Sequence, residues 1–125
     1  MISFESFIME DGMPIYLQII LFVKRGIIAG VIADGEELPS RRVLSALLGV
    51  NPNTVQKSFE QLDQKGIIYS VRGSGWYVSA ETQTAKDEVS ELIRSKTADY
   101  FGQMNALGMD NSETKRYVKE WNTNE

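Results

Sequence analysis

The chain is expected to be mainly α with a small β-hairpin: a winged helix-turn-helix followed by a C-terminal helical hairpin. Three observations predict this fold. Ser40 and Asn51-Pro52 are two helix starts with only Gly49-Val50 between the first helix and the second start. Ile67-Ile68-Tyr69-Ser70-Val71 and Trp76-Tyr77-Val78 are short β-branched and aromatic runs joined by Arg72-Gly73-Ser74-Gly75, where two glycines relax the turn geometry of a hairpin. Beyond residue 84, apolar residues recur at alternating spacings of three and four, the mark of an amphipathic helix.

The first helix is expected over Ile15–Gly30, with Pro14 at its first turn, where the missing N–H costs nothing. Tyr16, Ile19 or Ile20, Val23, Ile27 and Gly30 or Val31 recur on its apolar face, leaving Gln18, Lys24 and Arg25 toward solvent. Asp34-Gly35-Glu36 ends it in a turn. The second helix starts at the Ser40 cap, shows Val43, Leu44, Leu47 and Leu48 as its apolar stripe, and stops at Gly49. Asn51 caps the third helix and Pro52 takes its first position. Val55, Phe59 and Leu62, at i, i+4 and i+7, face the core, and Lys65-Gly66 ends the helix. A polar linker at Ser79–Thr84 divides residues 1–80, the winged helix-turn-helix, from residues 81–125, a helical tail. The tail reads as a helix of about 24 residues broken at Gly108-Met109. A last helix follows, opened by a capping box from Asp110 to Glu113.

Composition excludes more than it selects. No cysteine and no histidine occur among the 125 residues, which removes disulfides, thiolate and imidazole metal ligands and histidine acid–base chemistry. No acidic cluster has the loop spacing of a magnesium or calcium site. An enzyme is not expected, and neither a metal nor a cofactor is implied. The longest apolar stretch, Ile15 to Ala33, is broken by Gln18, Lys24 and Arg25, so no membrane span is expected. Met1–Met13 carries three acidic residues and no basic segment, unlike a signal peptide, and the chain is expected to be cytoplasmic.

The net charge of -4 is unevenly spread: residues 38–80 hold five basic and two acidic side chains, net +3, and residues 81–125 hold six basic and nine acidic, net -3. Local charge governs contact with a polyanion. The expected partner of the basic half is double-stranded DNA, with the third helix in the major groove and the hairpin beside it. Arg41 and Arg42 would occupy a first helical turn, where cations are disfavoured unless an external anion meets them; phosphate is such an anion. Ser40 and Asn51 start the two helices, and Pro52-Asn53 presents free N–H groups of the kind that bind phosphate. Asn53, Thr54, Gln56 and Lys57 are the candidate base or phosphate contacts, since amide side chains pair with adenine, threonine packs on thymine and lysine reaches guanine or phosphate. Arg72, Gly73, Ser74 and Gly75 form the candidate wing tip, close to sugar–phosphate. The tail stripe of Val89, Leu92, Ile93, Tyr100, Phe101, Met104, Leu107, Tyr117, Val118 and Trp121 is too wide for one helical hairpin to bury, so the chain's own winged-helix body and a second copy of the chain are both expected to cover it.

Pro14-Ile15-Tyr16-x-Gln18-Ile19, Leu38-Pro39-Ser40-x-Arg42, Leu48-Gly49-Val50, Asn53-Thr54-Val55, Phe59-x-x-Leu62 with Gly66-Ile67-Ile68, and Gly73-Ser74-Gly75-Trp76-Tyr77-Val78 together resemble the GntR family of bacterial transcriptional regulators over residues 14 to 79. Asn51-Pro52-Asn53-Thr54-Val55 and the short tail are similar to its YtrA-type subfamily. The resemblance implies a homodimer on a pseudo-palindromic operator, commonly a repressor of its own operon, which in this subfamily often encodes an ABC transporter. It places the family's phosphate-contacting arginine at Arg42, its recognition-helix polar positions at Asn51, Asn53 and Thr54, and its wing-tip glycines at Gly73 and Gly75. The chain departs from many relatives in having Pro52 where they carry a basic residue and Gln56 where they often carry arginine. Two other readings stay open: a winged-helix protein–protein adaptor without specific DNA binding, and a regulator whose tail answers to an unidentified small-molecule effector.

Overall fold

Each helix start is made by the local chemistry its sequence carries. The computed structural model describes residues 1–121; the last four positions of the expected tail, 122–125, lie outside the described residues. Pro14 precedes α1 (Ile15–Ile28). Ser40 caps α2 (Arg41–Leu48), its hydroxyl accepting from the Val43 amide at 3.2 Å, and Gly49 closes it at φ +67°, the left-handed conformation glycine adopts without strain. Asn51 Oδ1 accepts from the Asn53 amide at 2.8 Å to start α3 (Pro52–Gln64). A hairpin follows, β1 (Ile68–Val71) pairing antiparallel with β2 (Gly75–Val78), Ile68 opposite Val78 and Val71 opposite Gly75. Then come α4 (Gln83–Ala106) and α5 (Asn111–Glu120). The Asp110–Glu113 capping box is present in both directions, Glu113 N–H to Asp110 Oδ1 at 2.8 Å and Asp110 N–H to Glu113 Oε1 at 3.2 Å.

The core lies between α1, α2, α3 and the hairpin. Ile19, Val23, Leu44, Val55, Phe59, Leu62, Ile67 and Val78 are fully buried, and the Phe59 ring sits 5.9 Å from Trp76, tying α3 to β2. The i, i+4, i+7 reading of α3 therefore describes the structure. Burying a side chain of this size is worth about 1.5–3 kcal/mol each before entropy is counted.

Four features correct the sequence reading. The first is the N-terminal segment, in which the sequence pattern marks no helix or strand. Ile2 and Phe4 are buried, Phe4 stacks on Phe22 at 4.6 Å, and Phe7 meets the same ring edge-on at 5.5 Å. Second, Gln18 does not face solvent; it is only 7% exposed. Its amide accepts from the Glu10 amide and donates to the carbonyls of Glu10 and Met13, tying the N-terminal segment to α1. Third, Val43 and Leu47 do not join Leu44 in the core: they are 49% and 67% exposed. A two-turn helix presents one narrow stripe, and in α2 that stripe is Leu44 with Ser45, continued by half-buried Leu48. Fourth, residues 35–38 run beside β2 as a third extended piece: Leu38 N–H donates to Trp76 O, Val78 N–H to Glu36 O and Gly35 N–H to Val78 O. Ile2 N–H donates in turn to Glu37 O, which brings the N-terminal segment to the same edge.

Helix α1 also ends at Ile28, two residues before the expected Gly30, because the amides of Val31 and Ile32 turn back to Gly26 O. The chain divides into two compact units, Met1–Ser90 and Glu91 onward. That division falls ten residues after the expected boundary at residue 80. Gln83 already begins α4, Ala85 is buried, and Glu88 lies 3.8 Å from both Lys24 and Lys65, so the first turns of α4 are part of the first unit. Lys24, expected in solvent, is accordingly half-buried.

Candidate nucleic-acid interface

The start of α3 is the centre of the site. Its Asn51 cap, Pro52 and Asn53 are exposed, and Thr54 and Gln56 are half-buried. The cap uses the Asn53 amide, and the Thr54 amide donates to Asn51 O. What remains is the positive end of a helix dipole facing outward with no acidic side chain in the first turn.

Ser40, Arg41 and Arg42 are exposed at the start of α2, which also has no acid in its first turn. Neither arginine has a carboxylate within ion-pair distance among the described residues. Two cations on the positive end of a helix lack the local partner that would favour them, which leaves them available to an anion from outside the chain. Only Gly49, Val50 and the Asn51 cap separate α2 from α3, so the two helix starts belong to one short substructure.

At the hairpin tip, Arg72, Gly73 and Ser74 are exposed, and Ser74 N–H donates to Val71 O to close the turn. Gly73 has φ +76° and open space around it, so its need for glycine is one of backbone conformation. Gly75 is half-buried, and a Cβ there would stand 3.2 Å from Glu37 Oε2. The Ser74 hydroxyl meets the Tyr77 hydroxyl.

Three residues of this surface were not read as functional. Tyr16 of α1 carries the Lys57 ammonium 3.9 Å above its ring, and its carbonyl takes a hydrogen bond from buried Ser58, 3.0 Å away. Glu60 accepts from Gln56 Nε2 at 3.0 Å. Glu37 flanks the wing at Gly75 and bridges to Tyr77. The Glu60 contact was available from the i, i+4 spacing. The Tyr16 contact spans two helices far apart in sequence, and no local pattern announces it.

In the tail, Ile93, Tyr100, Leu107, Tyr117, Val118 and Trp121 are exposed; Leu107 reaches 77% and Trp121 71%. Leu92, Phe101 and Met104 are half-buried, Phe101 against Tyr100 with ring centroids 6.1 Å apart. Val89 falls in the first unit. Among the described residues no group of carboxylates could hold a metal ion, and no helix is long and apolar enough to cross a membrane.

A helix with an uncovered N-terminus, preceded by a capped helix that carries two arginines in its own first turn and followed by a two-stranded wing, defines the winged helix-turn-helix class of DNA-binding domain. The family described as "Bacterial regulatory proteins, gntR family" matches residues 15–78. The chain belongs to that family and is a transcriptional regulator with a DNA-binding helix-turn-helix. It is 32% identical to the HTH-type transcriptional repressor YtrA of Bacillus subtilis, over 89% of this chain and 86% of that one. Its fold matches a GntR family transcriptional regulator from Listeria monocytogenes with a TM-score of 0.79 at 30% identity, covering 91% of this chain and all of that one. It also matches the AraR DNA-binding domain solved in complex with operator ORX1, with a TM-score of 0.51 at 29% identity over 58% of this chain and 87% of that one. These relatives are transcriptional regulators, not enzymes.

Proposed function

We propose that this protein acts in the cytoplasm as a homodimeric repressor that occupies a pseudo-palindromic operator upstream of its own operon. The helix α3 enters the major groove of each half-site, with Asn53, Thr54 and Gln56 toward base edges and Lys57 toward guanine or phosphate. Arg41, Arg42 and Arg72 contact the sugar–phosphate backbone, and the apolar face of α4 and α5 joins the two copies. The observation that carries this reading is the pair of uncovered helix starts, that of α3 and that of α2, the latter carrying two arginines without ion-pair partners among the described residues. Support for repression comes from the similarity to the YtrA repressor over most of both chains. Operator binding draws on the AraR domain, which shares the fold and was solved on its operator. On the resemblance to YtrA-type regulators, the controlled genes include an ABC transporter.

The test is fluorescence anisotropy of the protein on the DNA upstream of its own gene and on a scrambled duplex, at about 50 and 200 mM salt, a range over which phosphate contacts are strongly weakened. Salt-sensitive binding to the upstream DNA alone is expected. Equal weak binding to both duplexes would instead favour the adaptor reading.

A further inference from the structure

We propose that Glu60 is a positioning residue for DNA readout, holding Gln56 in the orientation that recognises adenine. The inference rests on the proposal that Gln56 faces base edges. Gln56 and Glu60 lie one turn apart on α3, and Gln56 Nε2 donates to Glu60 Oε1 at 3.0 Å. A carboxylate can only accept, so it draws the NH₂ end of the amide toward itself and turns the carbonyl end away. One N–H of Gln56 is used by Glu60. With the N–H anti to Oε1 given to Glu60, the syn N–H and Oε1 remain side by side on the planar amide. That donor–acceptor pair is the complement of adenine N7 and N6–H₂ in the major groove.

Two features make this more than a surface pair. Glu60 has no basic side chain within ion-pair distance among the described residues, so its carboxylate serves no salt bridge. It also stands in the basic half of the chain, on the helix meant to meet a polyanion, where a bare negative charge weakens binding. Its placement is explained by what it does to Gln56. A free glutamine must lose rotamer freedom when it docks on a base; one already held by its neighbour has lost part of it beforehand.

The experiment selects binding sites from randomised duplexes with the wild-type protein and with Gln56→Ala, Glu60→Ala, Glu60→Gln and the double alanine variant. Affinities are then measured on single-base variants of the selected site, with circular dichroism as the check on folding. Gln56→Ala is expected to abolish an adenine preference at one position of each half-site. Glu60→Ala should weaken that same preference about two- to tenfold, the usual effect of leaving one long side chain to be ordered on binding. The double variant should lose no more than Gln56→Ala alone, and Glu60→Gln should keep most of the preference because its amide oxygen still accepts. An unchanged preference in Glu60→Ala would overturn the proposal. So would additive losses, or a loss at a different base pair, which would make Glu60 itself a reader, for instance of cytosine N4. If Gln56→Ala altered no position, the assignment of Gln56 as a reader would fail and the role of Glu60 with it.

Discussion

Replacing Arg42 by alanine gives a quantitative test of how the first turn of α2 meets DNA. The side chain is exposed and has no ion-pair partner among the described residues, and it sits on the positive end of a helix dipole. Its removal should leave stability within about 0.5 kcal/mol, as for other unpartnered surface positions. The loss should appear in the salt dependence. Each phosphate neutralised contributes about -0.9 to the slope of log K against log salt, so two copies of Arg42 in a dimer account for about -1.8. Between about 50 and 200 mM salt, a fourfold change, the wild type should therefore lose about tenfold more affinity than Arg42→Ala. Anisotropy titrations on the upstream duplex at four or five salt concentrations measure both slopes. An identical slope would refute the phosphate assignment. A changed base preference at unchanged slope would make Arg42 a reader instead.

Phe4→Ala should cost about 3–5 kcal/mol in urea denaturation, because Phe4 is buried and stacked on Phe22; a loss below about 1 kcal/mol would remove the N-terminal segment from the core. Gly49→Ala should cost about 1–2 kcal/mol purely through its left-handed backbone, since a Cβ there would meet nothing within 4 Å. Thermal unfolding reads the effect, and an unchanged Tm would mean the α2–α3 turn had relaxed to another conformation. Ile93→Asp, at a side chain 52% exposed on α4, should raise the dimer dissociation constant at least about tenfold by sedimentation equilibrium. An unchanged constant would take Ile93 out of the dimer contact.

Much of the fold was legible because its signals act over three or four residues. Ser40, Asn51-Pro52 and the Asp110–Glu113 box each satisfy amides of the helix they start, so their chemistry can be read without knowing what packs nearby. The same holds for Val55, Phe59 and Leu62, whose spacing alone puts them on one face of α3. The candidate interface was legible for a related reason. Arginines in a first turn and amides after a helix cap are locally unsatisfied, and that is visible in sequence. The errors arose where a short segment offered too little pattern. Val43 and Leu47 looked like core in a helix of eight residues, which has room for only one buried stripe.

The amino-acid sequence by itself determined where the helices begin, which face of α3 is apolar, where the hairpin turns and where the positive charge gathers. Each of these is a property of neighbouring residues. Only the tertiary structure decided that Ile2, Phe4 and Phe7 complete the core, that Gln18 is buried to satisfy the chain at Glu10 and Met13, and that residues 35–38 extend the wing. It also decided that Lys57 rests on Tyr16 and that Glu88 joins the start of α4 to Lys24 and Lys65. Most of these contacts pair groups from separate elements, and a buried polar or apolar group accepts whichever partner the packing brings to it. Local preference cannot name that partner; close packing and the need to satisfy every buried hydrogen-bonding group select it.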